Sequence, residues 1–429
     1  MSLLRSTTPH KVNKARFRRA PLLAGVGLAA VSALILSGCS ASGSGSSANT
    51  VSFLSWDNAA TMKPVIAEFE KENPKITVQM SYAPPVPQYI SKLQTELGAG
   101  TGPDVFIITA ENKVQLEKDH FVKDLTNEPF VSNIASAAKE TYTKDGKLYG
   151  IATSSWGGGI LYNKALLAKV GYTQAPQTWD EFLTLCKKLK AAGITPFYEG
   201  GDGLSVSLAA LLGIENASLG GKMDAEIWAG KTTFEKTWTK PLEIWNELFT
   251  QGIEPRSVAG LTSANVTQQF EKGSVAMITT GSWGLGAIQA AAPKLSLNFI
   301  AVPGVSSTYW AGAVSPGYAI NIKTQHTAAA EKLVSFLQSA KGVAVYQKQT
   351  ASITTTKDYT PTLDPALATM APAVRDGDFY LPQVTWPDNN AALGTEVTAL
   401  LQQMIQGQIT PKQVAQGMDK KLASLQSNG

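Results

Sequence analysis

Cysteine and histidine are scarce in this chain. Of 429 residues only Cys39 and Cys186 are cysteine, and three are histidine. Two cysteines build no disulfide framework. Cys186 falls among Phe182, Leu185 and Leu189 at helical spacing and reads as a small buried side chain. Past residue 38 only His120 and His326 remain, far apart and without metal-ligand spacing. Asp-rich calcium loops, phosphate loops and nucleophile elbows are also missing. No metal, cofactor or catalytic residue is therefore expected. The scattered carboxylates single out no glycosidase pair, although sequence leaves that geometry open. After residue 48 no run is apolar enough to span a bilayer.

The first residues are different. Arg5, Lys11, Lys14, Arg16, Arg18 and Arg19 form a basic start without an acid, followed by an apolar run from Pro21 to Leu36. That run is short for a spanning helix and suits a signal peptide. It ends in Leu36-Ser37-Gly38-Cys39, which resembles the bacterial lipobox, with Cys39 as the lipidated mature N-terminus. The Ser/Gly/Ala stretch from Ser40 to Ala48 buries too little to fold and reads as a tether. The expected division is a signal peptide at 1–38 and a lipid-anchored tether at 39–49. Removing 6 of the 37 basic residues leaves 31 against 33 acidic ones, a net of −2. Such a balance carries no electrostatic footprint for nucleic acid. About 380 residues remain, enough for two lobes.

From Val51 the pattern alternates. Val51, Phe53 and Leu54 read as a strand, and Met62, Val65, Ile66 and Phe69 as a helix stopped by Asn73-Pro74. Ile76, Val78 and Met80 alternate as a second strand. A helix through Ile90, Leu93 and Leu97 leads to the apolar run Val105 to Ile108, a strand buried on both faces. This order predicts an α/β fold with a mostly parallel sheet. Thr178 with Glu181, and Thr410 with Gln413, form capping boxes that start helices. Trp179, Trp228, Trp238 and Trp245 are expected to pack on or beside helices.

Several local signatures carry a resemblance. Phe69-Glu70-Lys71-Glu72-Asn73-Pro74-Lys75-Ile76-Thr77-Val78 is followed by Gly100-Thr101-Gly102-Pro103-Asp104-Val105. Gly146-Lys147-Leu148-Tyr149-Gly150-Ile151 leads to Leu161-Tyr162-Asn163-Lys164, with Ala152 where proline is usual. Then come Pro176-Gln177-Thr178-Trp179-Asp180-Glu181-Phe182, and Phe270 to Met277 followed by Gly281-Ser282-Trp283. In this order, over nearly the whole mature chain, they resemble the extracellular solute-binding proteins of carbohydrate ABC importers, family 1, the maltodextrin- and raffinose-type binding proteins. The resemblance implies a two-lobed periplasmic-binding-protein fold that closes on ligand in the cleft between lobes. The expected lobes are 50–153 plus 303–345 and 154–302 plus 346–429, with crossings near Thr153, Pro303 and Val345. The glycines after Trp156 fit a crossing whose dihedrals change as the lobes move.

A sugar presents an apolar ring face to an aromatic platform and hydroxyls to carboxylates and amides. The best platform is Trp283, which the family commonly stacks on sugar; its neighbours Gly281 and Gly284 suggest a loop. Trp56, Asp57 and Asn58 follow the first strand, where α/β lobes hold ligands, although Asn58 also suits a helix cap. Glu111 and Asn112 follow the third strand. Trp156, the loop with Glu199 and Asp202, Trp310 with Gly312, and Trp386 with Asp388 and Asn389 complete the candidates. The implied partners are a carbohydrate ligand, probed by a monomeric protein, and the permease subunits of an importer. A polyol or glycerol phosphate would instead favour an Arg or Lys in the cleft. An exported carbohydrate-cleaving enzyme and a surface adhesin are the alternatives from other classes.

Overall fold

The computed structural model describes residues 49–427 apart from Pro85, Ala110 and Ala351. The signal segment, nearly all of the tether, and Cys39 lie outside the described residues. Among those described, no helix is long and apolar enough to cross a membrane.

The alternation read from the sequence produces the first sheet. Strand Thr50–Ser55 buries Val51, Phe53 and Leu54, and helix Ala59–Glu72 lays Met62, Val65, Ile66 and Phe69 into the same core. Strand Thr77–Tyr82, helix Val86–Gly98 and the fully buried strand Val105–Ile108 follow. The sheet order is Thr77–Tyr82, Thr50–Ser55, Val105–Ile108, Gly317–Ile320, Ile151–Ala152. The first three strands run parallel, with Phe53 opposite Val105. Gly317–Ile320 is antiparallel to both its neighbours and sets Tyr318 opposite Ile107.

A second sheet forms around the long strand Ser154–Asn163. It pairs antiparallel with Val275–Gly281, Thr308–Val314, Leu297–Ile300 and Ile353–Thr354. Thr195–Tyr198 runs parallel on the outer side of Val275–Gly281. Helices Trp179–Ala191, Val206–Ser218, Phe234–Thr250, Asn390–Ile405 and Pro411–Ser427 pack a separate core that holds Trp179, Trp238, Trp245 and Cys186. Burial pushes the Cys186 thiol up, so it stays protonated and inert. The Thr178 hydroxyl and Glu181 carboxylate cap reciprocally, as do Thr410 and Gln413.

The two sheets are joined by three crossings that lie side by side. One passes through Thr153, another through Ser315-Pro316, and the third between Thr350 and Ile353. Thr355 N–H and Thr354 Oγ1 both donate to the Thr153 carbonyl, at 3.0 and 3.1 Å. Ser315 N–H donates to the Ser154 carbonyl at 3.1 Å.

Two crossings differ from the sequence expectation. Pro303-Gly304 is a hairpin turn, closed by Gly304 N–H on the Ser307 carbonyl at 2.7 Å. The following strand therefore stays in the second sheet until Val314. Val345 sits inside helix Ala340–Thr350, which lies against the first sheet's helix Ala59–Glu72 through Lys341, Glu68 and Glu72. The chain changes sheet only after that helix ends.

The glycines after Trp156 also serve a different purpose. They stand within a regular strand, and close packing requires them. A Cβ on Gly157 would reach 2.6 Å from Val374, and one on Gly159 would reach 2.5 Å from the Ile300 carbonyl oxygen and the Trp310 ring. Backbone freedom is not their role.

Candidate functional site

At the junction of the sheets lies a cleft of about 620 Å³. The first sheet contributes the turns at its carboxyl edge: Trp56 and Asp57 after Thr50–Ser55, and Glu111 after Val105–Ile108. Parallel sheets hold ligands at this edge because the chain turns away there and leaves a crevice. The crossings contribute Ser154, Ser155, Ser315 and Pro316, the second sheet contributes Trp156, and the helix that follows its strand Val275–Gly281 contributes Trp283.

Trp283 is 53% exposed, a large apolar surface left open to water. It stands in the first turn of helix Ser282–Ala291, where sequence had suggested a loop. Gly281 makes the position possible: a Cβ there would come within 1.6 Å of the Trp283 ring. The indole folds back over its own backbone and meets Trp156 edge to face at 4.8 Å. Across the cleft Trp56 is half-buried and braced edge to face by the buried Tyr89, at 6.1 Å. Three tryptophans thus offer ring surface to one space.

Polar groups surround them. Asp57 accepts from the Tyr346 hydroxyl at 3.1 Å and lies near Ser55 Oγ. Burial pushes the Asp57 carboxyl up to about 6, against those two hydrogen bonds. Glu111 is exposed at the rim. Ser155 Oγ, Ser282 Oγ and Gln383 Oε1 have no hydrogen-bond partner although all three residues line the cleft. The lining includes no lysine and no arginine. Among the described residues no cluster of His, Cys, Asp and Glu could hold a metal ion.

The space extends at both ends. Beyond Trp283 a side chamber of about 460 Å³ is bordered by Asp202, Thr267 and Thr280. At the other end Glu111 also borders an opening of about 930 Å³ that reaches Asp388 and Asn389.

Six candidates from the sequence fall elsewhere. Asn58 caps helix Ala59–Glu72, accepting from Thr61 N–H at 3.1 Å. Asn112 is buried; its Oδ1 accepts from Thr109 N–H at 2.8 Å and fixes the turn that presents Glu111. Trp310 is buried against Gly159 behind the strand. Trp386 is 1% exposed and stacks on Trp238 at 6.3 Å, inside the helical core. Asp202 borders the side chamber and is tied to Ser263. Glu199, in the same loop, is also buried, holding Ser207 and Trp245. The cleft face of the Trp386 segment is presented instead by Leu381 and Gln383.

Sequence reasoning missed Tyr346, Gln349 and Gln383. The first two lie on a helix whose apolar pattern reads as ordinary packing. Gln383 stands in the single turn Pro382–Thr385 and lines the cleft, while Trp386, which ends that turn in a non-helical conformation, packs into the core.

Comparison with known proteins adds the lineage. The family described as bacterial extracellular solute-binding protein matches residues 55–344. A family 1 extracellular solute-binding protein from Bifidobacterium longum subsp. infantis is 31% identical, with a TM-score of 0.75 over 87% of this chain and 99% of its own. The multiple sugar-binding protein of Streptococcus mutans is 28% identical over 298 residues, 67% of this chain and 70% of its own. The solute-binding protein RafE in complex with raffinose shares the fold, with a TM-score of 0.73 and 22% identity over 87% of this chain and 98% of its own.

Proposed function

This chain belongs to the bacterial extracellular solute-binding proteins, two-lobed proteins and not enzymes, and we propose that it captures a carbohydrate, a di- to tetrasaccharide, for an ABC importer. The observation that carries the reading is the set Trp56, Trp156 and Trp283 around one cleft whose wall holds Asp57, Glu111, Ser155 and Gln383. Indole faces pack on the apolar sides of sugar rings, and carboxylates and amides take the hydroxyls. The sugar-binding name of the Streptococcus mutans relative points the same way.

Closure of the lobes, 50–153 plus 315–350 against 154–314 plus 353–427 on the strand pairing above, traps the ligand. The three adjacent crossings are short and suit a hinge. The loaded protein then docks on the permease, held near it by lipid on Cys39 and the tether. Replacing Cys39→Ala is expected to release the protein from membranes into the medium.

A cleft wall with two acids and no base is poorly matched to glycerol phosphate, because an anion needs a cationic or N–H-rich partner. A neutral polyol remains the second reading, and the tryptophans favour rings over it.

The test is thermal unfolding against saccharides, polyols and phosphorylated solutes. A ligand that binds only the folded state stabilises it by RT ln(1 + [L]/Kd), about 2.7 kcal/mol at a hundred times Kd. An oligosaccharide that raises the melting temperature and is recovered uncleaved supports the reading. A shift with glycerol phosphate and with no sugar overturns the substrate class.

A further inference from the structure

Leu381 and Gln383 reach the cleft from a stretch of chain with little regular structure of its own. The stretch leaves the second sheet at Tyr380, where Phe379 and Tyr380 pair in parallel with Trp310 and Ala311. It makes the single turn Pro382–Thr385 and then enters helix Asn390–Ile405. One isolated turn has little stability by itself. Its position in the wall therefore depends on the side chains that hold it.

Those side chains are Asp224, Asn390 and Trp228. Asp224 stands in helix Met223–Trp228, is buried, and does not line the cleft. Its Oδ2 accepts from the Tyr380 hydroxyl at 2.7 Å and also from the Thr385 hydroxyl. A single oxygen thus grips both ends of residues 380–385, with Leu381 and Gln383 between them. Thr385 Oγ1 also lies 3.1 Å from the Pro382 carbonyl, across the turn. Asn390 is buried, and its Nδ2 donates to the Gln383 carbonyl at 2.6 Å. At the end of the Asp224 helix, Trp228 Nε1 donates to Asp388 Oδ1 at 2.8 Å. A carboxylate taken out of water costs free energy that an apolar side chain of similar size would not. What the carboxylate supplies is direction: an apolar residue at 224 would fill the space and orient neither hydroxyl.

We infer that Asp224 and Asn390 are positioning residues for ligand binding: they fix the backbone on both sides of Gln383, so that its amide meets the ligand in one orientation. Neither touches the ligand through its own side chain. The inference rests on the sugar-capture reading and adds to it the groups that set one wall of the site. An amide held in place binds without the cost of ordering a loop.

The experiment is titration calorimetry with maltose, maltotriose, melibiose and raffinose, beside unliganded melting curves that identify the folded variants. Burial pushes the Asp224 carboxyl up to about 6, so the titrations are run at pH 8, where it is ionised. The variants are Gln383→Ala, the pair Tyr380→Phe with Thr385→Val, and all three changes together. Phe and Val keep the bulk and remove only the donors to Asp224. Asp224→Asn is the conservative control, because an amide oxygen still accepts from both hydroxyls. For the saccharide that binds the wild type most tightly, Gln383→Ala and the paired variant are each expected to weaken binding at least about fivefold. The triple variant should match Gln383→Ala within about twofold, and Asp224→Asn should stay within about twofold of the wild type. A merely structural role would give losses that add to that of Gln383→Ala, and additive losses overturn the inference. Wild-type affinity in Gln383→Ala or in the folded paired variant also overturns it and leaves the sugar-capture reading standing. Asn390→Ala, taken through the same cycle with Gln383→Ala, decides the matter if the paired variant does not fold. If none of the four saccharides binds the wild type, the sugar-capture reading falls and the inference with it.

Discussion

The indole of Trp156 meets that of Trp283 edge to face, with ring centroids 4.8 Å apart and planes at 83°. Such pairs contribute roughly 0.5–1.5 kcal/mol beyond their burial. Here the pair fixes the orientation of an otherwise exposed ring. Its edge-on partner leaves indole surface free, and Gly281 gives the ring room.

Trp283→Ala is therefore expected to weaken oligosaccharide binding by about 2 kcal/mol, roughly 30-fold, as for a central aromatic anchor. Because the ring is exposed, the melting temperature of the unliganded protein should hardly move. Gly281→Ala should reproduce the binding loss with Trp283 still present, since the new methyl evicts the ring. Calorimetry beside unliganded melting curves separates the two effects. A Gly281→Ala protein with wild-type affinity would refute this role of the glycine.

Trp386→Ala is expected to behave in the opposite way. Its ring is enclosed by Trp228, Phe234 and Trp238. Truncation leaves a cavity and costs about 3–5 kcal/mol of stability. Protein that still folds should retain its affinity within a few-fold. Denaturant titration reads the first number and calorimetry the second.

These two tryptophans show what the sequence reveals and what it withholds. The strand–helix alternation, the capping box at Thr178 and the buried run Val105 to Ile108 are local patterns, and each was legible. So was the carboxyl edge that carries Trp56, Asp57 and Glu111, because it follows directly from the strands. Whether a tryptophan faces a cleft or a core depends on partners far away in sequence. Trp386 is buried by Trp238, 148 positions earlier. The hairpin at Pro303-Gly304 resembled a boundary because proline and glycine mark turns of every kind. Gln383 has no local signature at all; its place in the wall comes from the turn that also turns Trp386 inward.

Asp57 gives a pH prediction. Its carboxyl is pushed up to about 6 by burial, against an unfolded value of about 3.9. The protonated form is thus favoured in the empty cleft, and this contribution to stability is full below about pH 4 and is lost as pH rises through 6. Ligand hydroxyls donate best to the ionised form. Affinity should therefore rise between pH 5 and 7, at most about tenfold per pH unit, and level off above. In Asp57→Asn the profile should be flat over that range. A wild-type affinity independent of pH would remove Asp57 from the list of ligand acceptors.

The pair Glu199 and Glu254 yields the last prediction. Both are buried, and the Glu254 carboxylate accepts from the Glu199 backbone N–H at 2.6 Å. Its other oxygen has no partner. Burial first, and then the neighbouring Glu199 charge, push the Glu254 carboxyl well above its usual range; burial likewise raises Glu199. Their stabilising share is full below the unfolded value of about 4.3 and is lost as pH rises through the folded values. The melting temperature should accordingly decline toward alkaline pH. Glu254→Gln keeps an acceptor for Glu199 N–H and removes a charge, so it should flatten this decline and raise stability at pH 8. Glu254→Ala removes the acceptor as well and leaves a buried N–H unpaired, which costs about 1–3 kcal/mol. Melting curves from pH 5 to 9 on the three proteins decide the matter. If Glu254→Gln declines with pH as steeply as the wild type, the pair is not the source of the slope.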